Sequence, residues 1–350
     1  MGEAMADEGA LLQRKLRDAY RAYSGPKSSR PSSIRLPIGV SEATGAPYVT
    51  INRLNEDTVE YRMTAQAVYA NVQEDKAAFE SWIIALKVWL GQSHGVANVV
   101  LSWELPTKTK IDGVTTSIGQ HYERFLFRVH SFRKMYRPWF SIDRQCEGEL
   151  TTSEAINSKA LWLNVESKRR DKATASTKAE YVLENGLVAS TTFRASMQLA
   201  DGYPRRQLPV GLFRQDKPAN KAKVFPGGGS AIDMIGVNRE NEFIVFELKA
   251  EKYKPAGALS ELLLYTALMR EVADATRRVK FAEQHEWAQD VQNCAAVKGI
   301  LLADQFHPLL EHRELVETLN EGARAAWGRE KPVSFDRIQV DREKWLRPSP

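Results

Sequence analysis

The chain has 350 residues, of which 43% are hydrophobic and 27% charged; this is enough for two globular domains with ordinary cores and far from the composition of a disordered chain. A formal charge of +5 permits a polyanionic partner without implying one. Two cysteines, Cys146 and Cys294, exclude a disulfide framework, and no stretch has the length of a membrane span or the layout of a secretory signal. The expectation is a cytoplasmic protein with no membrane partner.

Between Glu8 and Tyr23, the residues Leu11, Leu12, Leu16, Tyr20 and Tyr23 recur at helical spacing. That predicts a helix ending at Ser24-Gly25-Pro26, with a Ser/Pro-rich connector to Pro37. Residues 48–53 and 59–63 alternate as strands. Residues 76–90 place Phe79, Trp82, Ile83, Leu86 and Leu90 on one helical face with Gly91 as a stop, and 96–105 return to strand. Residues 1–165 thus read as an α+β accessory domain with its own core. The run from His121 to Arg137 fits a helix stripe through Tyr122, Phe125, Val129, Phe132 and Tyr136, and equally a strand alternation through Phe125, Phe127 and Val129. In either form Arg124, Arg128, Arg133, Lys134 and Arg137 interleave with aromatics, a mixture that suits nucleic-acid phosphates and bases. The competing reading makes the aromatics core and the arginines its solvated border.

Residues 166–177, ESKRRDKATAST, are charged, small and without apolar periodicity, so the domain boundary is placed there and a second domain spans 166–350. Residues 177–189 form a helix stripe through Ala179, Val182, Leu183 and Leu187, with Glu180 and Glu184 one turn apart on a common face. One or two strands are expected between Leu208 and Phe225. Pro226-Gly227-Gly228-Gly229-Ser230 is no phosphate loop, because no Gly-Lys-Ser/Thr follows and a strand comes next. Residues 256–272 read as a helix with Leu259, Leu262, Leu263 and Ala267 inward. A buried strand at 295–303, helices around 312–327 and a strand at 333–340 complete an α/β sandwich with a mixed sheet. The six histidines show no H-E-x-x-H, the cysteines no C-x-x-C, and no G-x-S-x-G elbow occurs.

The most informative stretch is 231–249. Two β runs, Ala231 to Val237 and Phe243 to Lys249, flank the turn-prone Asn238-Arg239-Glu240-Asn241-Glu242. A hairpin centred on Glu240 sets Asp233 opposite Glu247, Ile235 opposite Val245 and Val237 opposite Phe243, with Lys249 on the same face. Cβ atoms of directly opposed residues lie roughly 5 Å apart, so the two carboxylates converge. At about 4 Å they repel by roughly 1 kcal/mol in water and about 4 kcal/mol near a protein surface, which a shared cation relieves. Carboxylate oxygens suit Mg²⁺ or Mn²⁺, and Lys249 then points at the anion the metal holds, a phosphate above all. The other face of the hairpin, Ile232, Met234, Ile244, Phe246 and Leu248, is wholly apolar. The plainer alternative is a surface ion pair between Lys249 and a carboxylate.

Asp233, thirteen residues, then Glu247-Leu248-Lys249 resembles the PD-(D/E)XK nuclease superfamily over about residues 177–303. Glu261-Leu262-Leu263-Leu264-Tyr265 is similar to the Gln-Leu-x-x-Tyr helix that several of its families carry after the E-x-K strand. The chain departs from the pattern at Ile232, where Pro is common, and at Glu261, where Gln is. The resemblance implies a restriction-endonuclease-like mixed sheet flanked by helices. It implies a metal-dependent endonuclease acting on DNA in repair, restriction or phage defence. Asp233 and Glu247 would be the metal ligands, with Mg²⁺ or Mn²⁺ as cofactor, and Lys249 would activate the water or stabilise the transition state. A further acid would come from Glu180 or Glu184 of the first helix, and Glu261 would stand at the signature position of the helix after the E-x-K strand. The alternative function is a nucleic-acid-binding or assembly protein that keeps the fold without turnover; homo-oligomerisation is left open.

Overall fold

A computed structural model describes residues 14, 47–72, 74–105, 118–156, 160–163, 179–216, 223–225, 231–250, 256–274, 279–281 and 286–346. The expected helix at 8–23, save Arg14, the connector to Pro37, the 166–177 boundary and the glycine run at 227–229 lie outside them. Among the described residues no helix is long and apolar enough to cross a membrane. Two compact units form: one comprises residues 1–154, 255–260 and 307–318, the other 155–254, 261–306 and 319–350.

The first unit is built on a four-stranded sheet in the order β1 (Val49–Arg53), β2 (Thr58–Met63), β3 (Asn98–Trp103) and β4 (Phe140–Ile142). β1 and β2 are an antiparallel hairpin whose turn is fixed by Asn55, its Oδ1 accepting from the Asp57 and Thr58 amides at 3.0 and 2.9 Å. β2, β3 and β4 are parallel. The crossovers are helical: α1 (Ala65–Tyr69) and α2 (Phe79–His94) before β3, then α3 (Ile118–Tyr136) before β4, with α4 (Arg144–Ile156) after it. Parallel strands joined through helices make this unit α/β, a correction to the α+β expectation.

Helix α3 settles the ambiguous run. Tyr122, Phe125, Leu126, Val129, Phe132, Met135 and Tyr136 are all buried, a three- and four-residue recurrence that no strand can bury on one face. Phe79 of α2 meets Phe125 and Phe132 edge-on at 5.5 and 5.8 Å. Gly91 does not stop α2. The helix runs one turn further to Gly95, whose left-handed φ of 63° lets its amide close back on the Leu90 carbonyl.

In chain order the second unit comprises β5 (Leu161–Leu163), α5 (Ala179–Ala189), α6 (Thr191–Ser196), β6 (Arg205–Pro209), β7 (Leu212–Phe213), β8 (Ala231–Val237) and β9 (Glu242–Lys249). These are followed by α7 (Gly257–Ala273), β10 (Val279–Phe281), α8 (Glu286–Asn293), β11 (Ala296–Ala303), α9 (Pro308–Glu311), α10 (Arg313–Trp327), β12 (Val333–Gln339) and α11 (Arg342–Trp345). Because 255–260 and 307–318 belong to the first unit, α9 lies in that unit and α7 and α10 each contribute residues to both. The principal sheet of the second unit has the order β12-β11-β9-β8-β6, with β12, β11 and β9 parallel and β9, β8 and β6 antiparallel. β10, β5 and β7 form a separate small sheet.

The hairpin register is Met234 with Phe246, Ile235 with Val245, and Val237 with Phe243. Asn238 shapes its turn by accepting from the Glu240 and Glu242 amides, and Asn241 takes φ 59°. One face of the sheet presents Ile232, Met234, Ile244, Phe246 and Leu248, all buried, with Phe193 of α6 on Phe246 at 5.8 Å. On the other, Gly299 of β11 leaves the space that Thr266 of α7 fills; a Cβ there would lie 2.5 Å from Thr266 Oγ1. Helices thus flank a mixed sheet. Val182 corrects the stripe expected on α5: it is 54% exposed, while Leu183 and Leu187 are buried.

Candidate functional site

Asp233, Glu247, Lys249, Glu261 and Glu180 meet where β8 and β9 part. The hairpin pairing ends at Met234 and Phe246; one position on, the Asp233 carboxylate replaces a backbone partner and accepts from the Leu248 amide at 2.7 Å. A polar side chain has entered the ladder at the place where the strands must separate. Lys249 Nζ donates to Glu247 Oε1 at 2.6 Å, and lies 3.2 Å from Glu261 Oε2 and 3.8 Å from Glu180 Oε1. Glu261 comes from α7 and Glu180 from the first turn of α5, so helices on two sides complete the cluster that the hairpin begins.

The depth is uneven. Glu247 and Glu261 are 2% and 1% exposed, Asp233 and Lys249 half-buried, and Glu180 exposed. Burial and the neighbouring Glu261 push the Glu247 carboxyl well up, against the pull of Lys249. Burial likewise pushes Asp233 up to about 7, opposed by Lys249 and the Leu248 amide. Burial alone lowers the Lys249 ammonium, but Glu247, Glu261, Asp233 and Glu180 together outweigh it, and the amine stays firmly protonated. Glu247 Oε2 is buried and accepts no hydrogen bond from the described residues, whereas Glu261 Oε2 faces the Lys249 ammonium at 3.2 Å. That orphaned oxygen of Glu247, beside the carboxylates of Glu261 and the half-buried Asp233, belongs to a hard-oxygen donor set, which fits Mg²⁺ or Mn²⁺. As the side chains stand, no group of three or more His, Cys, Asp or Glu among the described residues is arranged to hold a metal ion; Lys249 is the cation within the cluster.

Glu184 takes another place. It is buried, Gln207 Nε2 donates to both its oxygens at 3.1 and 3.0 Å, and Arg206 Nε lies 3.4 Å away. Of the first-helix pair, Glu180 is therefore the one beside Lys249. Gln207, Arg206 and the tie to Glu184 have no signature in the sequence, since a left-handed non-glycine inside a strand follows from no local pattern.

The basic run on α3 divides. Arg124 and Arg128 are each 4% exposed, which corrects their assignment to nucleic-acid binding. Arg128 donates from Nε to Glu80 at 2.7 Å, pairs with the same carboxylate through its terminal nitrogen, and donates to the Ala77 carbonyl at 2.7 Å. Arg124 donates to Asn71 at 3.3 Å and neighbours the His121 ring. Arg133, paired with Glu147 at 2.6 Å, and the exposed Lys134 and Arg137 remain at the surface. A concavity of about 610 Å³ opens beyond the ends of β11 and β12, lined by Asp304, Asp341, Glu343 and Arg342 among others. Asp304 binds Arg342 at 2.8 and 2.6 Å, so the charge of the one arginine in this acidic hollow is already met.

Comparison of the chain with protein-family models, with curated proteins and with solved structures returned no match.

Proposed function

We propose that this chain is a metal-dependent nuclease of the restriction-endonuclease-like fold that hydrolyses phosphodiester bonds, acting as an endonuclease on DNA. The observation that carries the reading is the site at the parting of β8 and β9, where Asp233, Glu247 and Glu261 surround Lys249 and a buried oxygen of Glu247 accepts no hydrogen bond from the described residues. A mixed sheet flanked by helices, with the acids on its central hairpin and on α7, supports it.

Asp233 and Glu247 would supply the oxygens for the cation, with the buried Glu261 and the exposed Glu180 beside Lys249. A bound Mg²⁺ or Mn²⁺ supplies Lewis acidity, lowering the pKa of a coordinated water and polarising the scissile phosphate. Asp233 must lose its proton before it serves as a ligand. Lys249, held protonated by its neighbours, acts as a charge aimed at a phosphate oxygen rather than as a base. Glu247 and Glu261 keep that ammonium oriented, and the apolar back of the hairpin fixes the strands that carry it.

The test is incubation with supercoiled, linear, branched and single-stranded DNA and with RNA, in Mg²⁺, in Mn²⁺ or in EDTA, beside an Asp233→Asn control. Cleavage that needs metal and is lost in the control is expected; EDTA-resistant cleavage, or an active control, overturns it. The second reading, a nucleic-acid-binding or assembly protein without turnover, is favoured by the closed Lys249–Glu247–Glu261 network. It predicts no calorimetric Mn²⁺ binding and no cleavage of any of these substrates.

A further inference from the structure

Strand β6 pairs with β8 at Arg205–Ile235, Arg206–Met234, Leu208–Ile232 and Pro209–Ala231, and skips the position between. That position is Gln207, opposite Asp233, and its φ is 57°. A left-handed conformation is strained for a residue with a Cβ, and such strain persists only where surrounding contacts enforce it.

The contacts identify what enforces it. Successive side chains of a regular strand point to opposite faces, so Arg206 and Gln207 should diverge, with Gln207 on the Asp233 face. Instead both reach α5: Arg206 lies 3.4 Å from Glu184, stacks 4.6 Å over the Tyr181 ring and bonds Asn185, while the Gln207 amide donates to both Glu184 oxygens. Gln207 thereby tethers β6 to α5 through Glu184. Glu184 sits one helical turn after Glu180, which stands 3.8 Å from Lys249. Fixing Glu184 therefore fixes the register and rotation of α5 on which Glu180 depends. On the other side of β8 the Asp233 carboxylate is itself anchored, accepting from the Leu248 amide at 2.7 Å.

We propose that Gln207 is a positioning residue of the proposed nuclease site: it leaves the β6–β8 ladder opposite Asp233 and clamps Glu184, so that α5 holds Glu180 beside Lys249. This rests on the reading of the site as a metal-dependent nuclease. The test is a double-mutant cycle with Gln207→Gly, which keeps the left-handed backbone without strain and deletes the amide, and Glu180→Gln. Turnover and substrate KM are measured on the cleaved DNA, and Mn²⁺ affinity is measured by calorimetry in the absence of DNA.

Each single variant is expected to lower turnover roughly tenfold and Mn²⁺ affinity several-fold with KM little changed, and the double variant to lose no more than the worse single one. Gln207→Glu, which sets a second carboxylate against Glu184, should be at least as impaired as Gln207→Gly. Losses that multiply in the double variant, or a Gln207→Gly protein with unaltered turnover and Mn²⁺ affinity, overturn the proposal while leaving the nuclease reading standing. An unaltered protein that neither cleaves nor binds Mn²⁺ overturns both.

Discussion

Lys249 is one cation facing Glu247, Glu261, Asp233 and Glu180, and its removal has two separable consequences. Breaking a buried charge pair costs about 3–5 kcal/mol when the partner is left alone, so Lys249→Ala should unfold at clearly lower denaturant concentration without metal. The loss should be largest at high pH, where Glu247, whose carboxyl is pushed up by burial, cannot escape by taking up a proton. Added Mg²⁺ should restore much of the stability while turnover stays low; if metal restores neither stability nor binding, the lysine is part of the scaffold and not of the chemistry. Asp233 adds a pH dependence. Its carboxyl, pushed up to about 7 chiefly by burial, lies above the ordinary aspartate value, so the folded chain holds a proton that the unfolded chain releases. Stability of the metal-free protein should therefore fall as pH rises from about 4 to about 7 and level off above, while metal affinity rises over the same window. Asp233→Asn should lack this component; identical urea-unfolding profiles across that range in the two proteins refute it.

At the scale of elements, α7 carries Glu261 to Lys249 because β11 has no side chain at Gly299, where a Cβ would lie 2.5 Å from Thr266 Oγ1 and 2.8 Å from Phe335. Gly299→Ala should cost about 1–3 kcal/mol by overpacking and weaken Mn²⁺ binding by shifting Glu261; a variant that loses stability but binds Mn²⁺ unchanged shows that α7 moves independently of the site. The hairpin was legible because its information is local: Asn238-to-Glu242 is turn chemistry, the apolar set Ile232, Met234, Ile244, Phe246 and Leu248 fixes the face, and the observed register follows from both. Helix α3 was not, because Arg124 and Arg128 look like a solvated border until Glu80 and Asn71, distant in sequence, are brought against them. The same holds for the end of α2, where Gly91 and Gly95 are equivalent as residues and only the backbone at Gly95 turns left-handed. Gln207 was beyond reach for that reason too, since its conformation answers to Glu184 rather than to its neighbours in the chain. Arg128→Gln should accordingly destabilise the protein strongly by stranding Glu80, whereas Arg133, Lys134 and Arg137 changed together to Gln should leave stability unchanged. If that surface meets DNA, the triple variant should flatten the salt dependence of binding by about 0.9 in log-log slope for each phosphate no longer neutralised; an unchanged slope places the DNA on another surface.

At the scale of the molecule, the two compact units are not successive halves of the chain. Residues 255–260 and 307–318 belong with the first unit, although the residues between and beyond them belong with the second. Within the first unit these short segments are tied by buried contacts. Ser81 Oγ donates to the Ala256 carbonyl at 2.7 Å, Ser260 Oγ donates to Glu80 at 2.8 Å, and the His307 ring meets Trp82 edge-on at 5.9 Å. Glu80 is thereby shared between Arg128 and Ser260, so a single buried carboxylate binds α3, α2 and the start of α7. A cut near residue 165 would strip Ala256, Leu259 and Leu310, all buried, of the core they pack in. A fragment of residues 166–350 should therefore express as an aggregating or partly unfolded chain, even though Asp233, Glu247, Lys249, Glu261 and Glu180 are all present in it. Circular dichroism and size exclusion of the fragment against the full chain check this. A monomeric fragment that melts cooperatively and binds Mn²⁺ like the full chain would show that the first unit serves substrate choice alone, whereas the expected collapse means that its contribution to recognition has to be measured by surface substitutions in the intact protein.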